Sequence, residues 1–185
     1  NWNRPKYEVS ALMELLVNTI NRETRTLMEN GVRLRAIGDL KKLPEKCYAR
    51  LHEAMDKTAG NTQCTLTLAL SYSARWEITE AARQLARAAA EGRIDPDSID
   101  EQVFAQYLAT RDMPDPELMI RTSGEQRISN YLLWQLAYAE LYFTEKRWPA
   151  FRREDLFEAL IDFQRRERRF GLTSEQLAER QKNTF

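Results

Sequence analysis

The chain has 185 residues, of which 43% are hydrophobic and 30% are charged, a composition typical of one soluble globular domain. Basic and acidic residues both number 28, and this zero net charge argues against a protein held on nucleic acid by bulk charge. Two cysteines and one histidine argue against a disulfide scaffold and a His/Cys metal site, and they fit a cytoplasmic protein. No run of about 18 apolar residues occurs, so no transmembrane helix is predicted.

The first half of the chain alternates helical and strand patterns. Apolar residues recur at helical spacing from Pro5 to the Asn30-Gly31 stop. An alternating pattern over residues 32–38 predicts a strand, and residues 44–58 predict a second helix. A second strand begins at Cys64, and an alanine-rich helix is predicted over residues 75–91.

The second half continues the alternation. A short helix is predicted over residues 96–108, a third strand over 116–122, a helix over 130–138, a short strand over 140–143 and a final helix over 151–169. Residues 172–185 are polar and are expected to fray. Strands separated by helices predict one α/β domain over residues 1–185, with an open, mostly parallel sheet covered by helices on both faces.

In such sheets, ligands bind beyond the carboxyl ends of the strands. Arg121 ends the third predicted strand, and Ser71-Tyr72-Ser73 follows the second. We therefore expect these residues at one rim of the sheet.

Two arginines beside this rim are candidates for anion binding. Arg121 and Arg127, with Ser129 and the backbone amides of the next predicted helix, could clamp a diphosphate, because a guanidinium matches phosphate oxygens two at a time. The alternative is a surface ion-pair network with Glu125 or Glu140, which would have no function. The residues alone leave both interpretations open.

The segment "IRTSGEQRISNYLLWQLAYAELYF", followed by Trp148-Pro149-Ala150-Phe151, closely resembles the signature of the cis-prenyltransferase family, in particular of the undecaprenyl diphosphate synthases. "NWNRP", "EVSALMELL" and "VRLRAIGD" match the same family in the same order, so the resemblance extends from Asn1 to Gly171. It implies an enzyme that elongates an allylic (farnesyl) diphosphate with isopentenyl diphosphate, forming double bonds in cis geometry. It also implies Mg²⁺, a homodimer and an apolar tunnel for the growing chain.

The same resemblance implies that the product is undecaprenyl diphosphate, the lipid-carrier precursor for cell-wall polysaccharide synthesis. We then expect a cytoplasmic enzyme that delivers its product to a membrane and associates transiently with the inner face. The strand from Cys64 and an apolar helix stripe could supply the tunnel wall, although plain core packing explains them equally well. That stripe comprises Leu12, Met13, Leu16 and Ile20.

Residue roles follow from the resemblance at matching positions. Arg121 and Arg127 match the arginines that bind the isopentenyl diphosphate group, and Ser129 with the backbone of Ile128 completes that clamp. Glu140 matches the acidic residue near the metal, and a carboxylate is a suitable hard ligand for Mg²⁺. A plain salt bridge is the alternative for Glu140.

The first residues of the chain also match functional positions. Asn1 matches the asparagine assigned to the proton-loss step, but an amide is a poor base, so we expect Asn1 to position isopentenyl diphosphate. Trp2 matches a tryptophan beside the substrates, and Arg4 matches a further diphosphate contact. Without the resemblance, Trp2 and Arg4 read as an exposed hydrophobe and a solvated charge.

Two departures from the family pattern stand out. The family's Asp-Gly-Asn-Gly-Arg phosphate-binding loop, with its metal aspartate, would precede Asn1, and the chain shows neither it nor two expected strands. Ser73-Ala74 stands where the family usually has Gly-Gly, and serine and alanine resist backbone angles that glycine permits.

Two other function classes compete with the enzyme. One is a non-catalytic partner subunit of the same fold, and the retained site residues argue against it. The other is an anion- or RNA-binding module, which zero net charge disfavours.

Overall fold

The computed structural model describes Trp2, residues 4–169, Thr173 and Gln176. The chain forms two compact units, residues 1–112 and residues 113–185. The predicted single domain stays a prediction, and each unit is described by itself. The predicted tail, residues 172–185, lies outside the described residues except for Thr173 and Gln176.

The first unit is built around a β-α-β arrangement. Strand β1 (Val32–Ile37) pairs in parallel with β2 (Cys64–Ala69), with Val32 opposite Cys64 and Ile37 opposite Ala69. The connecting helix is α2 (Glu45–Thr58), because parallel strands need a crossover between them. The remaining helices of this unit are α1 (Lys6–Glu29), α3 (Ala74–Ala90) and α4 (Glu101–Ala105).

The core of the first unit lies between the first two helices and β1. Its buried residues are Val17, Ile20, Leu34, Leu43, Cys47, Leu51 and Ala54. Met13 and Leu16 pack against this cluster, whereas Leu12 is 40% exposed. Most of the helix stripe considered as a tunnel wall therefore packs into the core.

The second unit contains one parallel strand pair and one helix. Strand β3 (Leu118–Arg121) pairs with β4 (Glu140–Phe143), and helix α5 (Arg153–Gln164) follows. Asp155 closes the first turn of α5 by accepting a 2.7 Å hydrogen bond from the Arg152 N–H. The ion pair with Lys146 holds the pKa of Asp155 below its ordinary value.

The structure confirms the α/β class, with parallel strands alternating with helices. All four predicted strands form, and α1, α2 and α3 match their predicted spans closely. The predicted helix over residues 96–108 is reduced to a short 3₁₀ turn and α4, and the final helix ends at Gln164. No helix of the described residues is long and apolar enough to cross a membrane.

The prediction of a helix over residues 130–138 is wrong. Asn130 and Leu132 have φ angles of 60° and 47°, and a right-handed helix cannot continue through left-handed residues. The segment forms consecutive turns instead, in which the Leu136 N–H still donates to the Leu132 carbonyl at 2.9 Å. The apolar residues of this segment are therefore partly buried, as their spacing predicts, but they do not form a helix.

A buried hydroxyl ties α2 to β1. Thr58 is 0% exposed, and its Oγ1 accepts from the Leu34 N–H at 2.9 Å while donating to the Ala54 carbonyl at 2.9 Å. Without this hydroxyl, the Leu34 N–H would lose its side-chain acceptor in the core.

We expect Thr58→Val to lower the free energy of unfolding by about 1–3 kcal/mol, because it leaves a buried donor unsatisfied at nearly constant volume. Thr79→Val is the matched control, since its exposed hydroxyl donates only to the Arg75 carbonyl of its own helix. Urea denaturation measures both. Equal effects for the two variants would contradict the role assigned to Thr58.

Candidate active site

The loop after β3 is fixed by the chain that follows β4. The Thr144 N–H donates to the Arg121 carbonyl at 2.9 Å, and the Gly124 N–H donates back to the Thr144 carbonyl at 2.9 Å. The Ser123 N–H donates to the Lys146 carbonyl at 2.8 Å. Two amides of this loop, those of Ser123 and Gly124, are therefore occupied and are not available to an anion.

Gly124 is required by the shape of this loop. Its φ is 68°, and a Cβ at this position would collide with the carboxylate of Glu145. The flexible Glu145 side chain could move aside, but the left-handed backbone would still strain any residue with a Cβ.

Arg121 lies at the carboxyl end of β3, as predicted. Its Nε is buried and has no hydrogen-bond partner among the described residues. A buried charged donor without an acceptor is costly and rare in folded proteins. This orphaned donor fits a site whose missing acceptor is an anionic ligand.

Arg127 is placed differently. Its side chain is 68% exposed and forms an ion pair with Glu125. For Arg127, the ion pair that the sequence left open as an alternative is therefore present. Exposed pairs contribute only about 0–1 kcal/mol, so a diphosphate could displace Glu125 at little cost.

Ser129 and Ile128 lie in a turn. Ser129 has a φ of 49°, and the Tyr131 N–H donates to the Ile128 carbonyl at 3.1 Å. The expected helix N-terminus after Ser129 does not form, so helix amides do not contribute to the predicted clamp. The Ser129 side chain is exposed and open to a ligand.

Glu140 lies at the opposite end of the strand pair from Arg121. In the parallel register, Glu140 stands opposite Leu118 and Arg121 opposite Phe143. Three residues of strand separate the two levels, a distance of about 10 Å. Within this chain, the candidate metal ligand Glu140 and the half-buried Arg121 are not brought together.

Arg166 engages the Glu140 carboxylate. Its Nη1 donates to Glu140 Oε2 at 2.8 Å, and this hydrogen bond is the main reason why the pKa of Arg166 lies above its ordinary value. No group of three or more His, Cys, Asp or Glu residues able to hold a metal occurs in the described part of the chain. Glu140 could thus serve as one ligand of an ion held mostly by other groups.

The predicted rim of the first unit carries Trp2. The Trp2 Nε1–H donates to Ser71 Oγ at 2.9 Å, and the Asp39 N–H donates to the Ser71 carbonyl at 3.2 Å. Ser71 has a φ of 50°, a strained conformation for serine. The indole is thereby held just beyond the carboxyl end of β2.

The other two residues of the first segment are less informative. Arg4 forms an exposed ion pair with Glu8 at 3.5 Å. Asn1, the predicted positioning residue for the proton-loss step, lies outside the described residues.

The Ser73-Ala74 departure is accommodated without strain. Ser73 has an extended backbone (φ −151°, ψ 139°), and its Oγ accepts from the Trp76 N–H at 3.3 Å as the N-cap of α3. Ala74 begins the helix and is fully buried. Neither position needs the freedom of glycine.

A buried carboxylate that the sequence did not predict lies beside this rim. Glu77 is 2% exposed and accepts from the Tyr72 hydroxyl at 2.5 Å and from the Ala109 N–H at 2.9 Å. It anchors the residue that follows Ser71. A charged residue among the buried alanines of α3 could have indicated it from the sequence. Its partner Ala109, however, lies 32 positions away.

Comparison with known proteins places the chain in a family. The family described as "Putative undecaprenyl diphosphate synthase" matches residues 1–171. An isoprenyl transferase of Chlorobaculum tepidum is 52% identical over 96% of this chain and 67% of its own length. A (2E,6E)-farnesyl-diphosphate-specific ditrans,polycis-undecaprenyl-diphosphate synthase of Pseudomonas syringae pv. tomato is 49% identical over 96% of this chain and 70% of its own length.

Two solved structures agree with the sequence comparison. Lavandulyl diphosphate synthase from Lavandula x intermedia, in complex with dimethylallyl diphosphate, has a TM-score of 0.90 and 39% identity over 92% of this chain and 74% of that one. A probable undecaprenyl diphosphate synthase from Campylobacter jejuni has a TM-score of 0.80 and 36% identity over 92% and 78% of the two chains. The chain belongs to the undecaprenyl diphosphate synthase family of cis-prenyltransferases.

Proposed function

We propose that this chain binds isopentenyl diphosphate at the end of β3 and adds it to farnesyl diphosphate, giving undecaprenyl diphosphate after repeated cycles. The observation that carries the proposal is the buried Arg121 Nε without an acceptor at the carboxyl end of β3. The family membership and the names of the relatives support the same reaction.

The reaction needs the charge distribution that these residues offer. The allylic C–O bond breaks, and the diphosphate leaves with the electron pair. The alkene of isopentenyl diphosphate then forms the new C–C bond, and the adjacent carbon loses a proton to a diphosphate oxygen or to water. Arg121 and Arg127 would hold the diphosphate of isopentenyl diphosphate, and Ser129 would donate a further hydrogen bond. Fixed in this way, the alkene meets the allylic carbon at a high effective concentration.

The two arginines would contribute in different ways. Arg121 is preorganised, because its Nε is already buried and unpaired by the described residues. Arg127 is exposed and must exchange Glu125 for the diphosphate. In the same proposal, Trp2 is held by Ser71 beside the substrates, and Asn1 positions isopentenyl diphosphate.

We also propose Mg²⁺ as the cofactor, with Glu140 as a protein ligand. Mg²⁺ usually takes one or two carboxylates and completes its shell with water and substrate phosphates, so a single glutamate is a suitable donor set. When bound, Mg²⁺ would neutralise negative charge on the departing diphosphate. Glu140 must then leave its hydrogen bond with Arg166, at least in part.

The same proposal includes a homodimer in which Glu140 serves the site of the partner subunit. The separation of about 10 Å between Glu140 and Arg121 along the strand pair disfavours a shared site within one chain. Tyr138 and Trp148 are 68% and 71% exposed, and large exposed aromatic residues are typical of contact surfaces.

The proposal also includes delivery of the product to a membrane, because the product carries a long apolar chain. The enzyme would be cytoplasmic and would touch the inner face of that membrane, where the product serves cell-wall polysaccharide synthesis.

The first test is activity. We define the extended chain as residues 1–185 preceded by a family segment that carries the Asp-Gly-Asn-Gly-Arg loop. With farnesyl and isopentenyl diphosphates, the extended chain should form long cis-polyprenyl diphosphates, and EDTA should stop the reaction until Mg²⁺ is restored. Radiolabelled isopentenyl diphosphate and chain-length analysis measure the products. A folded extended chain without turnover would support the partner-subunit alternative, and turnover in EDTA would exclude the metal.

The second test concerns the clamp. In the extended chain, Arg127→Ala should weaken isopentenyl diphosphate by roughly 10- to 150-fold, or about 1.5–3 kcal/mol for a charged hydrogen bond, and affect farnesyl diphosphate far less. Arg127→Lys should recover part of the loss, because an ammonium is a point donor. Arg25→Ala is the matched control, an exposed arginine paired with Glu29 on α1. Equal weakening of both substrates would show that Arg127 does not select isopentenyl diphosphate.

The third test mixes two inactive variants. Extended chains with Glu140→Gln and with Arg127→Ala are combined, and heterodimers are isolated with two affinity tags. If Glu140 serves the partner's site, one site of each heterodimer regains an intact Arg127 and an intact Glu140, so activity should return to about half of the wild-type value per dimer. Isolated heterodimers without recovery would place Glu140 in the site of its own chain.

A further inference from the structure

Arg166 joins three acceptors near the start of β4. Besides Glu140 Oε2, its Nη1 donates to the Leu141 carbonyl at 3.0 Å. Its Nε and Nη2 donate to Asp162 Oδ2 at 2.9 Å and 2.5 Å. The side chains of Arg166 and Glu140 are 30% and 27% exposed, so solvent and ions reach the cluster.

The two carboxylates hold Arg166 in different ways. Asp162 lies in the last turn of α5, four residues before Arg166, so this pair is local and needs no tertiary contact. Glu140 is far away in sequence and binds through one oxygen only. If Glu140 turned away, Arg166 would still keep two hydrogen bonds to Asp162 and one to the Leu141 carbonyl.

This asymmetry matters because a cation that takes Glu140 must compete with Arg166. A guanidinium that loses its only carboxylate in a half-buried place is costly, so it resists the exchange. A second carboxylate that stays bonded to the guanidinium lowers that cost. The ion pair between Arg166 and Glu140 could therefore be exchanged for a contact between Glu140 and a cation, while Arg166 keeps Asp162.

We propose that Arg166 is a positioning residue that holds Glu140 when no metal is present, and that Asp162 retains Arg166 when Glu140 turns to a divalent cation. The inference rests on the proposed role of Glu140 as a metal ligand. Asp162 touches neither substrate nor metal in this arrangement, and it sets how readily Glu140 is released.

The chain offers a matched control for this cluster. Arg168 lies two residues further on, pairs with Glu117 and stacks over the Phe163 ring at 5.4 Å. Through Glu117, it ties the segment after α5 to the residue just before β3. Loss of Arg168 should thus disturb the segment as much as loss of Arg166, but leave the release of Glu140 unchanged.

The experiment measures cation binding without turnover. Mn²⁺, a paramagnetic substitute for Mg²⁺, is titrated into the extended chain with isopentenyl diphosphate present, and free Mn²⁺ is counted by electron paramagnetic resonance. Asp162→Asn should weaken Mn²⁺ binding by about three- to tenfold, because Arg166 then depends on Glu140. Adding Arg166→Gln to this variant should restore binding to within about twofold of the wild type, because the competitor is gone. Arg168→Gln should leave binding unchanged.

The outcomes separate this inference from the proposed function. Glu140→Gln with unchanged Mn²⁺ affinity would overturn both the ligand role and the exchange. A loss with Glu140→Gln but none with Asp162→Asn would overturn the exchange alone, as would additive losses in the double variant. Absence of elongation by the wild type concerns only the proposed function, because the Mn²⁺ titration needs no turnover. Thermal midpoints confirm folding, and Asp162→Ser is carried in parallel in case Asp162→Asn misfolds.

Discussion

The parallel pairing of β3 with β4 is the constraint on which the second unit depends. Its register puts Arg121 at the carboxyl end of the pair and Glu140 at the amino end. The chain leaving β4 then closes the loop after Arg121, through hydrogen bonds from Ser123 and Gly124. Parallel strands need a long crossover connection, and residues 122–139 supply it as a series of turns instead of a helix.

Several charged side chains of the second unit are already paired with an opposite charge. Glu140 and Asp162 share Arg166, and Lys146 is bound to the buried Asp155. The Nε of Arg121, at the carboxyl end of β3, is buried without an acceptor among the described residues. A donor already removed from water gains more from an anion than a solvated one, since its desolvation cost has been met by folding.

The loop after β2 shows how two substitutions from the family pattern are accommodated. Serine and alanine replace the usual glycine pair, yet Ser73 caps α3 and Ala74 fills a buried position. The left-handed conformation falls instead on Ser71, whose hydroxyl accepts from Trp2. The strain at Ser71 is thus offset locally by hydrogen bonds to its side chain and its carbonyl.

The sequence by itself determined the α/β class, the four strands, the first three helices and the family, because periodicity and motifs are local properties of the chain. It also placed Arg121 and Ser71 at strand ends, since strand direction follows from element order. Tertiary structure decided the rest. The left-handed backbone at Leu132 prevents the helix that the apolar spacing predicted. Hydrogen bonds between residues 26 or more positions apart join Glu140 to Arg166 and Glu77 to Ala109. Such pairs depend on where the elements pack, and no local pattern encodes that.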